Sequence, residues 1–377
     1  MLRNAIPNGF HRLHIEFDEF YTIPERYTFV DVLGFNDEGY VIKAFDKIFE
    51  IFVTIKKYYM PQTEHIFDNS VYRKAMRDLQ CMMLHQHENI IKLYSVFTPA
   101  TTSESMQEFY IVREYCEHTL KLNEINIGVL SHEIIAKVIH DVTRALEYLH
   151  SMDICHRDIK PKNILISSTG VAKLSDFAHS NNPYLMRTQC FVMQYYRPPE
   201  VFCEMADAQT GKLDIWSLGC IFNELLTGSI AFPGDDIEAS LKMFVGRLGT
   251  PDERFINRIP LIAGTFLTSL GRSNKKVMEL SAFLPQLQTN QEQCESARDL
   301  LDKMLEFHPD DRIDIKGILE HPYLVNITNN NEHVKVPPNM EISQSYLWQY
   351  ECSVEDYREL IFGMLKDYGR RKNVLRQ

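Results

Sequence analysis

Apolar residues along this chain change their spacing from period two to period 3.6, and that switch limits the fold more than any other feature. Residues 27–57 are strand-like, with runs Tyr27-Thr28-Phe29-Val30, Tyr40-Val41-Ile42 and Ile51-Phe52-Val53-Thr54-Ile55 separated by Gly, Asn and Asp turns. Around residues 70–85 the period becomes helical, with Val71, Ala75, Leu79, Met82 and Met83 on one face. Two more β-rich runs, 90–97 and 109–115, follow. Beyond Cys116 the chain reads as helical, first with a stripe of Ile134, Ile135, Val138, Val142, Leu146 and Leu149, then near 214–226, 237–248 and 296–305. A chain of 377 residues exceeds the roughly 250–300 that one hydrophobic core supports, so two lobes are expected. The fold class is α+β, with a β-rich lobe of one main helix at about 27–115 and a mainly helical lobe at about 116–324. Residues 1–26, aromatic without a clear period, read as an N-terminal extension and 325–377 as a C-terminal one.

Charge and cysteine usage exclude several function classes. With 40 Lys and Arg against 51 Asp and Glu the net charge is -11, which disfavours the phosphate contacts of a nucleic-acid binder. Only Arg370-Arg371-Lys372 forms a basic run. The eight cysteines are scattered without a Cys-x-x-Cys pair, a pattern of reduced thiols and not of disulfides or zinc. Residues 1–10 lack the apolar core of a signal peptide, and no run has the length of a membrane span. The expectation is a soluble monomer, cytoplasmic or nuclear, without membrane or nucleic-acid partners.

Chemistry concentrates at His156-Arg157-Asp158-Ile159-Lys160-Pro161-Lys162-Asn163, with Asp176-Phe177 on the next strand-like segment. Phosphoryl transfer from ATP needs a carboxylate to accept the proton of the attacking hydroxyl and oxygen ligands to hold magnesium. A loop beginning at Asp158 and closing on Asn163 supplies the base and one ligand, and Asp176 the second; this is the catalytic-loop pattern of protein kinases. Lys56, in Val53-Thr54-Ile55-Lys56, ends a strand whose alternation directs its ammonium to the same chemistry, whereas the adjacent Lys57 reads as a solvated strand-end lysine.

Further motifs carry a resemblance across nearly the whole chain: Tyr195-Tyr196-Arg197-Pro198-Pro199-Glu200, Asp214-Ile215-Trp216-Ser217-Leu218-Gly219-Cys220, Phe232-Pro233-Gly234, Leu248-Gly249-Thr250-Pro251 and His321-Pro322-Tyr323. The chain resembles the eukaryotic protein kinases, within them the MAP kinases, and most the Jun N-terminal kinase branch. The resemblance implies the bilobal protein kinase fold, ATP and Mg2+ as cofactors, protein substrates and an upstream MAP kinase kinase-like activator. It makes Asp158 the base, Lys160 the cation at the transferred phosphate, Asn163 and Asp176 the metal ligands, and Lys56 the phosphate clamp with Asp78 as its helix partner. Leu33, Gly34, Gly39, Val41, Glu114, Cys116 and Leu165 fall at nucleotide-lining positions. His156 is implied as a packed residue beneath Phe177, and Glu200 with Arg312 as a buried ion pair. Arg197 matches the residue beside a proline-accepting pocket, so Ser/Thr-Pro substrates are expected. A helix around 354–365 resembles the one MAP kinases pack back on the small lobe.

Departures from the family pattern are equally informative. The phosphate loop reads Gly34-Phe35-Asn36-Asp37-Glu38-Gly39, with Asn36 where a glycine is usual and two acids beside it. Asparagine tolerates the left-handed region better than most residues. Asp78 is one methylene shorter than the usual glutamate, so bridging to Lys56 requires the helix to move inward. Ala178 replaces the glycine after Asp176-Phe177. Thr54 stands for an alanine and Arg113 occupies the gatekeeper position, normally apolar. A buried guanidinium demands an anion, with Asp78 and Asp176 the nearest candidates; the alternative is that Arg113 snorkels to water. The activation segment reads Thr188-Gln189-Cys190, so Thr188 is left as the regulatory acceptor, with Arg77 and Arg157 as phosphate-receiving cations and Asn181 in place of a third. Met193 replaces a threonine near the substrate site, and Asn329-Asn330-Asn331-Glu332 replaces most of an acidic docking patch. These changes support a rival reading, a weak or inactive pseudokinase serving as a binding or scaffold module.

Overall fold

The computed structural model describes residues 6–15, 19–36, 39–60, 70–84, 86–121, 130–181, 194–205, 208, 210–276, 278–328 and 353–374. In chain order come β1 (Phe10–His14), β2 (Phe20–Pro24), β3 (Tyr27–Asn36), β4 (Gly39–Asp46), β5 (Ile51–Tyr59), α1 (Ser70–Leu84), β6 (Leu93–Phe97), β7 (Glu108–Glu114) and β8 (His118–Thr119). There follow α2 (His132–His150), β9 (Ile164–Ile166), β10 (Ala172–Leu174), α3 (Pro199–Phe202), α4 (Lys212–Thr227), α5 (Ile237–Leu248) and α6 (Glu253–Ile256). Last are α7 (Leu261–Ser269), α8 (Gln291–Met304), α9 (Ile315–Leu319), α10 (Pro322–Thr328) and α11 (Val354–Val374). Two compact units result: residues 1–116 with 350–377, and residues 117–349.

The first unit is built on an antiparallel sheet in the order β3-β4-β5-β7-β6. Strand alternation gives that sheet two distinct faces. On one face Ile42, Ala44, Val53, Ile55, Tyr110 and Val112 form a buried core with Tyr21, Ile23 and Tyr27. Tyr21 and Ile23 come from the β1–β2 hairpin, so part of the N-terminal extension builds the core of this unit. Lys57 belongs to this face, and its solvated reading is wrong. It is buried, pairs with Glu19 at 2.9 Å and Glu108 at 2.7 Å, and donates to the Phe20 carbonyl at 2.6 Å. Two carboxylates meet the requirement that a buried charge be paired; one of them lies just ahead of β2, outside the pattern of β5 itself.

Helix α11 packs on α1 and β6 of the same unit. Tyr357, Ile361 and Leu365, spaced four apart, are buried, as neighbours on one helix face must be. Tyr357 stacks on Tyr72 of α1, and Arg358 donates to the carbonyls of Glu104 and Met106.

The second unit is mainly helical. Ser131 caps α2 by accepting from the Ile134 amide, and Glu133 occupies its first turn, where a carboxylate favours the helix dipole. Its buried stripe runs through Ile135, Val138, Ile139, Val142, Leu146 and Leu149, whereas Ile134, expected in the stripe, is exposed. Ile134 falls in the first turn off the packed face, and Ile139 completes the stripe instead. Helix α4 is buried nearly all round, and α2 packs against α4, α9 and α10. Strands β8, β9 and β10 form a small sheet in the order β10-β9-β8, and β10 packs on α2. The six cysteines among the described residues form no disulfide with one another, and no described helix is long and apolar enough to cross a membrane.

Candidate active site

In the first unit the strand register creates a transverse row. Gly34 on β3 faces Val41 on β4, Val41 faces Lys56 on β5, and Lys56 faces Ile111 on β7. Residues directly opposite one another share a face, so Gly34, Val41 and Lys56 lie on the side away from the hairpin-covered core. A side chain added at Gly34 would meet nothing within 4 Å, so open space lies over the backbone beside Lys56, as a nucleotide's approach requires. Leu33, at the register shift before Gly34, is exposed, and Gly39 opens β4 opposite Asn36. The loop tip between them lies outside the described residues.

Lys56 is 2% exposed and its Nζ lies 3.5 Å from Asp78 Oδ2 on α1. The shorter acid therefore reaches the lysine. Tyr58, two residues along β5 and on the same face, was not foreseen: its hydroxyl donates to the same Asp78 oxygen. Its ring lies under the Lys56 ammonium at 4.7 Å and stacks on Phe109 at 5.0 Å. The sequence signal was the i, i+2 spacing of Lys56 and Tyr58.

Arg113 sits opposite Thr54 on this face. The expected pairing of Arg113 with Asp78 is not formed: Asp78 is taken by Lys56 and Tyr58. Nε and Nη1 of Arg113 are buried with no hydrogen-bond partner among the described residues. The side chain as a whole is only partly buried, and Nη2 is not among those buried atoms. Glu114 ends β7 with its amide donating to the Lys92 carbonyl at 2.9 Å, and Cys116 is partly exposed and in no disulfide among the described residues. Arg77 is buried on α1.

In the second unit the loop after α2 is fixed by a residue far along the chain. Asp214, fully buried on α4, accepts the amides of His156 at 2.9 Å and Arg157 at 2.8 Å and a hydrogen bond from His150 at 2.9 Å. Burial alone would raise its pKa, but the hydrogen bond and charge of His150 hold it below the usual carboxylate value. No local spacing could have revealed this role, since the partners are 57 and 58 residues apart. Arg157, buried, takes φ 67° and Asp176 φ 68°. Such left-handed non-glycine residues cost of order 1–3 kcal/mol each and cluster at functional sites. The left-handed residue is thus Asp176 itself, and Ala178 is not among the positive-φ residues, so the missing glycine is not needed for this conformation.

His156 is fully buried edge-on to Phe177 at 5.2 Å. Nε2 lies 3.2 Å from the Ser175 carbonyl and Nδ1 accepts the Asp158 amide at 3.3 Å, which fixes the neutral Nε2–H form. Burial lowers its pKa accordingly. Its role is to connect two loops.

Asp158 is 3% exposed. Lys160 Nζ lies 2.6 Å from its Oδ2, and Asn163 Nδ2 donates to its carbonyl at 2.8 Å and to Oδ2 at 3.0 Å. Burial raises the Asp158 pKa, Lys160 lowers it, and Asp176 raises it further. A base poised above the ordinary carboxylate range suits proton acceptance near neutral pH. Both partners of the Asn163 amide nitrogen are acceptors, so its Oδ1 is the atom left for a cation. Ser175 donates to the Asn163 carbonyl through N and Oγ, which ties the start of β9 to the residue before Asp176. An amide oxygen and a carboxylate are the hard donors magnesium takes, so the residues present fit Mg2+. Leu165 lies on β9 opposite Thr119.

Glu200 and Arg312 form a fully buried two-point pair at 2.8 and 3.0 Å, with the guanidinium also donating to the carbonyls of Lys212 and Glu306 and lying over Trp216 at 5.0 Å. Arg197 lies over Phe202 at 5.2 Å. Asn181 is buried and bridged to Cys155 by two backbone hydrogen bonds. Thr188, Met193 and the Asn329–Glu332 stretch lie outside the described residues.

The first unit carries a buried lysine–acid pair on a five-stranded sheet; the second carries a base, a cation and an amide ligand on a loop held by a buried aspartate, with the carboxylate Asp176 beyond β10. These are the groups of the ATP-dependent phosphotransferases that act on proteins. Comparison with known proteins agrees. Residues 27–324 match the family model described as protein kinase domain. The chain is 32% identical over 357 residues, 93% of its length and 74% of the relative's, to "Stress-activated protein kinase jnk-1" of Caenorhabditis elegans. The chain belongs to the protein kinase family. It is a divergent, MAP kinase-like serine/threonine kinase with the bilobal α+β fold, and that family uses ATP and Mg2+.

Proposed function

We propose that this chain transfers the ATP γ-phosphate to serine or threonine followed by proline in protein substrates. The observation that carries this is Asp158, buried, raised in pKa, and held by Lys160 and Asn163. Asp158 accepts the proton of the substrate hydroxyl. Lys160 places positive charge where the transferred oxygens gather it, and fixed charge of this kind does most of the work in a loose transition state. Lys56, steadied by Asp78 and Tyr58, meets the nucleotide phosphates. Magnesium, when bound by Asn163 Oδ1 and Asp176, neutralises phosphate charge. Arg197 supports the proline preference. An upstream MAP kinase kinase-like enzyme phosphorylates Thr188, whose phosphate, worth about −1.5 to −2 charge, is received by Arg77 and Arg157.

The pseudokinase reading draws on one observation, the two guanidinium nitrogens of Arg113 that are buried without a hydrogen-bond partner among the described residues. Mg-ATP binding separates the two. A ligand that binds the folded state at about 100 times its Kd adds about 2.7 kcal/mol. The enzyme reading expects melting temperature to rise with ATP only when Mg2+ is present. No shift at millimolar Mg-ATP would leave the binding-module reading standing.

A further inference from the structure

A cavity of about 420 Å3 in the helical unit is lined by Phe232, Met243, Gly246, Arg247, Lys276 and Met278, among others. It uses none of the residues assigned to catalysis. Its size falls in the roughly 300–1,000 Å3 range of small-molecule sites.

Three observations give it a chemical character. Arg247, near the end of α5, donates through Nη1 to Asn223 Oδ1 at 2.9 Å and lies over Phe232 at 5.3 Å. Its Nη2 is buried with no hydrogen-bond partner among the described residues. The titratable groups that act on it, Cys220 and Asp302, favour its charge but do not offset burial, which lowers its pKa. A second cation, exposed Lys276, is joined to it through the backbone, the Lys276 amide donating to the Arg247 carbonyl at 2.9 Å. The third observation is Gly246 inside α5. Glycine weakens a helix interior, yet a side chain there would meet nothing within 4 Å and its φ is not in the left-handed region. Neither packing nor conformation asks for glycine; its effect is to leave the cavity wall open.

We propose that this cavity binds a small amphipathic carboxylate, an alkyl chain of medium length with a single anionic head. The head meets Arg247 Nη2 and Lys276, and the chain lies along Phe232, Met243 and Met278. Thioether side chains adapt to flexible apolar ligands. One buried guanidinium nitrogen without a partner among the described residues, beside an apolar wall, suits a monoanion with a hydrocarbon body and not a polyphosphate.

The full chain, labelled at its methionine methyls, would be titrated with decanoate and followed by NMR. Saturable movement of the Met243 and Met278 methyls is expected. Gly246→Leu fills the cavity with a better helix former, so it should fold and lose the response. Arg247→Gln should weaken binding about tenfold or more, the equivalent of a charged contact, and Lys276→Gln by less. Inorganic phosphate should leave the methyls unmoved. Absence of saturable binding, binding unchanged in folded Gly246→Leu or in Arg247→Gln, or an equal response to phosphate would each overturn the proposal.

Discussion

Arg113→Met should make the protein more stable, against the usual effect of replacing a partly buried residue. Two guanidinium nitrogens, Nε and Nη1, are buried without a hydrogen-bond partner among the described residues. Each such group carries a desolvation penalty of about 1–3 kcal/mol. Methionine matches the aliphatic stem, so little packing is lost with the charge. It also removes one of two cations on the same face, since Arg113 and Lys56 sit opposite Thr54 and Ile111 of the paired strand. Allowing for relaxation around the new side chain, a net gain of about 2 kcal/mol follows, which raises Tm by roughly 4–8 °C at about 2–4 °C per kcal/mol. Arg113→Gln, which keeps a polar head in the same place, should gain much less. Differential scanning calorimetry of the three proteins at one pH and salt reads the order directly. A lower Tm for Arg113→Met than for the parent would show that the guanidinium has a stabilising partner in solution, and the reasoning would fail.

Lys160→Met should move the acid limb of kcat to higher pH as well as lower the rate. The ammonium holds the Asp158 pKa down against burial and Asp176, so without it the base is protonated sooner as pH falls; an unmoved limb in a pH–rate profile would contradict the assignment. Tyr58→Phe keeps the ring stack but takes a donor from buried Asp78, a loss of about 1–2 kcal/mol; an unchanged urea midpoint would mean that the acid is satisfied without the Tyr58 hydroxyl. Treated with an activating MAP kinase kinase, the chain should carry phosphothreonine and no phosphotyrosine at its Thr188-Gln189-Cys190 segment. Thr188→Ala should abolish the activation, and full activation of that variant would refute the regulatory reading.

The residues that could be read from the sequence were those whose partners lie nearby in the chain. The catalytic loop is local, and spacing alone brought Asp158, Lys160 and Asn163 into one hydrogen-bonded group. The switch from strand to helix periodicity placed the sheet, α1 and α2, because alternation and the 3.6 repeat survive without tertiary information. Lys57 failed for the opposite reason: its counter-ions, Glu19 just ahead of β2 and Glu108 on β7, lie elsewhere in the chain, and nothing in β5 announces them. The β1–β2 hairpin was missed although Tyr21 and Ile23 alternate with half-buried neighbours, since two five-residue strands are too short for a firm period. Asp214 and the Glu200–Arg312 pair depend on contacts across the helical unit; the second was legible only through family resemblance. Arg113 was legible as an anomaly, but of the outcomes expected for it (Asp78, Asp176 or water) the pairing with Asp78 assumed that acid to be available, and Tyr58 and Lys56 already hold it.

The most direct test of the central claim is phosphoryl transfer by the purified full chain, with Mg-ATP and a Ser-Pro peptide, compared with its Asp158→Asn variant. Loss of a positioned base is worth about 10²–10⁴ in rate, and the variant should keep its nucleotide affinity because Asp158 is not a phosphate ligand. The account predicts measurable transfer by the parent and a fall of that order in the variant, with ATP-induced stabilisation unchanged. Equal turnover by the two proteins would contradict it.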